Sequence, residues 1–265
     1  MNGNLKILFG KTLLNKFKRL IARLDIKGPN LIKGIHLEGL RVIGNPNEYA
    51  LKYYKGGIDE IIYIDPVASL YERNILTDII ERTCKEVFVP ITVGGGIRSL
   101  NDVEKILKSG ADKVAINTSI VKNPTLITEI AKEFGSQCMV ASIEVKKINK
   151  TWEIFTLSGR EKTGIEVKEW INKIQLLGAG EILLTSIDKE GTKKGFDNDL
   201  IHHVSDVINI PTIISGGFGK ISDLGIFNLT EKIDAIAIAD GFHYERFRIN
   251  QIKEEIHKKY GLVRI

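Results

Sequence analysis

Two carboxylates stand inside apolar runs at corresponding places in the chain. They are Asp25 in LIARLDIK and Glu144 in MVASIEVKK. A single carboxylate at the end of a strand is usually solvated or paired at a loop edge, but two that face each other on rigid elements suit general acid–base work, one holding a proton while the other accepts one. A second duplicated feature is glycine-rich: VGGGI at 93–97 and SGGFG at 215–219. Successive glycines let backbone N–H groups come close to an anion, although tight turns also use glycine for geometry alone. Asn117 and Thr118 end the run that follows the first of these turns, and Ala239 and Asp240 end the run that follows the second, so the pair suggests an elongated ligand with a phosphate at each end. Lys27 and Lys33, in a long loop expected after the first strand, could close over it. A third set, Arg19, Glu60, Lys113 and Glu181, lies where apolar runs begin. Alternating charges of that kind can pair in a ring, either for structure alone or around a passage for something small.

These residues need elements to position them. Near-continuous runs rich in Ile, Val and Ala occur at about 20–26, 61–65, 89–93, 113–117, 139–145, 181–187, 211–215 and 234–239, the pattern of parallel strands covered on both faces. Segments such as LNDVEKILKSG, PTLITEIAKEFG and GIEVKEWINKIQLLG (164–178), with helical apolar spacing, lie between them. Eight βα units fit a closed barrel or a long open sheet, and internal similarity favours the barrel. DEIIYID resembles GEILLTS, and VPITVGGG resembles IPTIISGG. Asp25 and Glu144, Glu60 and Glu181, Pro90 and Pro211, and Asp112 and Asp234 are each separated by roughly 120 positions. The prediction is an α/β fold, a (β/α)8 TIM barrel with a twofold half-barrel repeat. An N-terminal extension would span 1–18 and a single barrel domain 19–265. Asp25 and Glu144 would then face each other at the carboxyl ends of strands, where this fold builds its chemistry.

Composition limits the alternatives. The 265 residues are 43% hydrophobic and 27% charged, with a net charge of +5 and a pI near 9.0. No run is long enough for a membrane span. The first residues carry Lys11, Lys16, Lys18 and Arg19 without a cleavage-site pattern, so export is not expected and a cytoplasmic location is. Basic residues are scattered among acids rather than gathered, which points away from nucleic acid and towards an anionic small substrate or an acidic partner. Cys84 and Cys138 lack paired spacing, and the five histidines lack ligand spacing, so neither metal nor cofactor is expected.

LDIK with Lys33 and EGLR, IDPVAS, TVGGGIRS, GADKVAINT, FTLSGREKTGI, GAGEILLTSIDKEGT and ISGGFGK together resemble the cyclase subunit family of imidazole glycerol phosphate synthase, from about residue 19 onward. The resemblance implies a barrel that takes ammonia from a glutaminase subunit, in a heterodimer, to cleave and cyclise a bis-phosphorylated ribulosyl aminoimidazole carboxamide nucleotide in histidine biosynthesis. It implies that Asp25 is one catalytic aspartate and that Glu144 stands in place of the second. Gly96, Asn117 and Thr118 match one phosphate site, and Gly191, Gly217 and Ala239 the other. Arg19, Glu60, Lys113 and Glu181 match the ammonia gate, and Asp112 an interface residue beside it. Departures fall at the substrate end: Glu144 and Glu190 replace Asp, Asp240 replaces a small hydroxyl residue, and GPN at 28–30 replaces an acidic, Gly, basic triplet. A second reading is therefore a paralogue that conducts ammonia to a sugar amidotransferase in surface-polysaccharide synthesis.

Overall fold

The computed structural model describes residues 17–68 and 76–260. Of the expected extension only Phe17 and Lys18 fall among these; residues 1–16 lie outside them, as does the end of the expected barrel domain at 261–265.

Eight apolar runs become eight parallel strands. They are β1 (Arg19–Lys27), β4 (Glu60–Ile64), β5 (Ile91–Gly94), β6 (Lys113–Ile116), β7 (Met139–Ile148), β10 (Glu181–Ser186), β11 (Thr212–Ser215) and β12 (Ala235–Ile238). Each pairs with the next in that order, β7 with β10 by the register Thr185↔Glu144, and β12 closes on β1 through Arg19↔Ala235. The chain is a closed (β/α)8 barrel. Because side chains alternate along a strand, one face of each enters the lumen and the other meets the helices. Ile21, Ile62, Val140, Leu183 and Ile213 belong to the lumen cluster, while Leu20, Ile61, Ala141 and Ile182 join the larger core against the helices.

The helices follow local rules. Ser99 and Asp102 form a capping box at the start of Leu100–Lys108, and Gly178, at φ 100°, closes Val167–Leu177 in the left-handed conformation. A recurrent device registers the barrel floor. Asp59, Asp112 and Asp234 each precede a strand and accept the N–H of the neighbouring strand's Leu20, Ile91 and Thr212, at 2.8, 2.8 and 3.1 Å. This bond explains the Asp112/Asp234 repeat structurally.

Two segments differ from the sequence reading. The stretch after β1 is not a loop but a hairpin, β2 (Asn30–Ile35) and β3 (Glu38–Gly44), with β2 antiparallel to β1. The first part of the helical segment expected from Gly164 is strand, because β8 (Thr151–Thr156) and β9 (Glu161–Glu166) form the equivalent hairpin after β7. Strand pairing prevails over local pattern in both places, and both hairpins rise over the mouth at twofold-related positions. Among the described residues no helix is long and apolar enough to cross a membrane.

Candidate active site

At the mouth β1 delivers Asp25 and β7 delivers Glu144, 3% and 7% exposed. Their surroundings differ. Arg23 Nε donates to Asp25 Oδ1 at 3.0 Å and Lys33 Nζ lies 3.8 Å from Oδ2. Burial alone would raise the Asp25 pKa, but Arg23 and Lys33 outweigh it and hold the carboxyl below the usual carboxylate range. Glu144 has no such contact, and its Oε2 is buried without a hydrogen-bond partner. Burial pushes its pKa up to about 7, against the more distant pull of Arg23. One twofold-related carboxyl is therefore an anion and the other holds its proton to near neutrality.

That difference predicts a pH-dependent stability. The folded protein binds the Glu144 proton more tightly than the unfolded chain, whose value is 4.5. Stability from this proton is complete below the unfolded value and is lost as pH rises through about 7, amounting to about 3 kcal/mol at most. Glu144→Gln should accordingly gain melting temperature relative to wild type between pH 5 and pH 8. A difference that stays constant with pH would show that Glu144 does not titrate in a buried site.

Two pockets flank the carboxylates. One, of about 440 Å³, is lined by Gly95, Gly96, Asn117, Thr118, Ser142, Glu144 and Ser158. The other, of about 310 Å³, is lined by Glu190, Gly191, Lys193, Gly216, Gly217, Ala239 and Asp240. Gly217 sits at φ 107°, and a Cβ there would run into the Gly195 carbonyl, so both backbone shape and space demand glycine. The chain thus gathers the two expected anion sites on either side of the two carboxyl groups. Asp240 lines the second pocket and is paired with Arg246; its side chain does not cap the short helix Asp240–His243.

Lys33 comes from strand β2 rather than a loop, is buried, and forms a close ion pair with Glu190. Lys27 stays exposed at the rim. Sequence reasoning missed Arg23, whose signal was a charge two residues before Asp25 in an apolar strand, and the hydroxyls Thr185 and Ser215 that accept from it at 3.1 and 3.2 Å.

At the opposite end the four floor charges close a ring. Arg19 bonds Glu60 and Glu181, each at 2.6 Å, and Lys113 reaches the same two carboxylates at 3.2 and 2.8 Å. Below it a depression of about 580 Å³ is lined by Phe17, Arg19, Lys113 and Glu181 among others. Phe17, Phe88 and Leu176, in segments that lead into the floor ends of strands, are exposed apolar side chains. Asp112 is exposed beside Lys113.

A family of sequences described as "Histidine biosynthesis protein" matches residues 19–248. A protein of Legionella pneumophila named "Imidazole glycerol phosphate synthase subunit HisF" is 63% identical over 206 residues, 77% of this chain and 97% of that protein. Proteins of the same name from Lactococcus lactis subsp. cremoris and Alkaliphilus metalliredigens are 48% and 43% identical, each over 91% of this chain and over 94% and 96% of their own lengths.

Proposed function

This chain belongs to the HisF family of imidazole glycerol phosphate synthase cyclase subunits, and we propose that it carries out that family's reaction with the mouth residues described above. It is a lyase that uses ammonia to cleave and cyclise a bis-phosphorylated ribulosyl aminoimidazole carboxamide nucleotide in histidine biosynthesis. The observation that carries the reading is the unequal carboxylate pair between two glycine-lined pockets. Ammonia that adds to a carbonyl must lose protons, and the amine that departs must gain one. Asp25, ionised, accepts; Glu144, protonated near neutral pH, donates. The pockets position the two phosphates through backbone N–H groups at Gly96 and Gly217, with Asn117 and Thr118 beside the first. The test is turnover of the nucleotide by the purified chain with excess ammonium salt; none at all would defeat the reading.

As a subunit of a synthase, the chain works in a complex. Its partner is a glutaminase that docks on the floor face as a heterodimer and feeds ammonia through the Arg19–Glu60–Lys113–Glu181 ring. Exposed Phe17, Phe88 and Leu176 and the depression beneath the ring support this. Asp112 lies at that contact.

Asp240 favours a second reading in part. A carboxylate in the second pocket opposes a phosphate, and its pairing with Arg246 occupies a cation that could otherwise meet one. Asp240→Ser should tighten nucleotide binding by roughly tenfold, read by calorimetry. No binding in either form would favour a barrel that conducts ammonia to another acceptor, such as a sugar in surface-polysaccharide synthesis.

A further inference from the structure

Beneath the mouth lies a buried cation to which the acid–base reading gives no step of its own. Arg23 stands two residues before Asp25 on β1, on the same inward face, and is 2% exposed. Nε donates to Asp25 at 3.0 Å, while Nη1 donates to Thr185 on β10 at 3.1 Å and to Ser215 on β11 at 3.2 Å. The side chain therefore crosses the lumen from one strand to two others, and these bonds fix the plane of its guanidinium. It lines neither mouth pocket, so a ligand held there meets other residues.

We propose that Arg23 is the positioning residue that divides the twofold-related carboxylates into a fixed anion, Asp25, and a proton carrier, Glu144. Twofold symmetry by itself would make the pair equivalent; the asymmetry comes from where the guanidinium points. Its hydrogen bonds go to Asp25, Thr185 and Ser215. Thr185 is the register partner of Glu144, so the hydroxyl that accepts from Arg23 stands at the strand position beside that carboxyl. Glu144 thus feels the charge without a contact.

The other charges around the pair reinforce the division. Lys33, from β2, faces Asp25 at 3.8 Å but is shared with Glu190 from the turn after β10. His243, after β12, is pushed down to about 3 by burial and is neutral, with Nδ1 held by the Tyr53 hydroxyl at 2.6 Å. On the Glu144 side, Asp65 from the end of β4 lines the same pocket, and Asn117 and Ser142 are uncharged. Cations gather on Asp25, and only neutral or acidic groups share the pocket with Glu144. Environments of this kind push paired carboxyls apart.

The inference rests on the acid–base reading, and its test separates the two. Carboxyl carbons in wild type, Arg23→Met and Arg23→Lys are titrated by carbon-13 NMR, with Asp25→Asn and Glu144→Gln giving the assignments. In wild type Asp25 titrates below the usual range and Glu144 near 7. In Arg23→Met the Asp25 midpoint rises by about one pH unit or more and the interval between the two groups narrows. kcat with ammonia counted as free base falls about tenfold or more, most at the acid end, with KM little changed. Arg23→Lys recovers part of both, and stands alone as the variant if Arg23→Met does not fold. A merely structural role would lower the melting temperature and leave the midpoints in place. An unmoved Asp25 midpoint, or a loss of activity equal at every pH, overturns the proposal. If wild type does not turn the nucleotide over, the acid–base reading fails, and the titrations still decide what Arg23 does.

Discussion

Asp25→Asn is expected to lower ammonium-dependent cyclisation by roughly 10²- to 10⁴-fold, the range that a positioned proton-transfer group contributes. Substitution keeps the side-chain volume and an oxygen for Arg23 Nε to donate to, so the geometry of the mouth survives. What disappears is the basic lone pair. The variant also leaves Arg23 without its close counter-charge in a buried site, and breaking a buried pair by removing one partner typically costs about 3–5 kcal/mol. Glu144 and Glu190, both within electrostatic range of Arg23, offset part of that. Circular dichroism should therefore show a folded protein of lower melting temperature. Glu144 should titrate lower in this variant, since the Asp25 charge helps to raise it. Retention of more than about a tenth of wild-type kcat would mean that Asp25 moves no proton in the slow step.

How much of this was legible in the sequence depended on whether a signal was local. Eight strands could be read because both faces of a parallel barrel strand are buried and the runs are nearly unbroken. Closure could be read only because the chain repeats: Glu60 with Glu181 and Asp25 with Glu144 place equivalent groups at equivalent strand ends. The hairpins β2–β3 and β8–β9 were not legible. NLIKGI and EGLRVIG are short, the second has no buried residue, and Gly34 and Gly39 interrupt them, so neither period stands out. Lys33 is expected in a loop for the same reason; only the pairing of β2 with β1 turns it towards Asp25 and Glu190. Arg23 was visible as a residue but not as a contact, since nothing near it in sequence indicates Thr185 or Ser215. The recurring aspartates, by contrast, carried two meanings at once. Asp112 looked like an interface residue through resemblance, yet its bond to the Ile91 N–H gives it a structural duty that Asp59 and Asp234 share.

Lys113→Ala is expected to uncouple the two ends of the barrel. In the intact ring each of Glu60 and Glu181 meets both cations, and the carboxylates are 5% and 4% exposed. Burying two carboxylates against two half-buried cations is a costly way merely to close a floor, because packed apolar residues of similar volume often stabilise as well or better. A passage is the better reason for them, since charged side chains can exchange partners and part where a packed apolar plug cannot. Removing Lys113 leaves Arg19 to hold both carboxylates, so the barrel should remain folded with a modest loss of stability. Ammonia released on the floor side would then escape to solvent or meet a misaligned entrance. Glutamine-dependent product formation with the cognate glutaminase should fall roughly tenfold or more, while turnover with free ammonium salt, which reaches the mouth directly, stays within about threefold of wild type. The ratio of the two rates is the readout, because a general loss of folded enzyme cancels in it. Equal losses in both assays would make the ring a structural device, and a wild-type chain that never associates with a glutaminase would remove the floor as a docking face altogether.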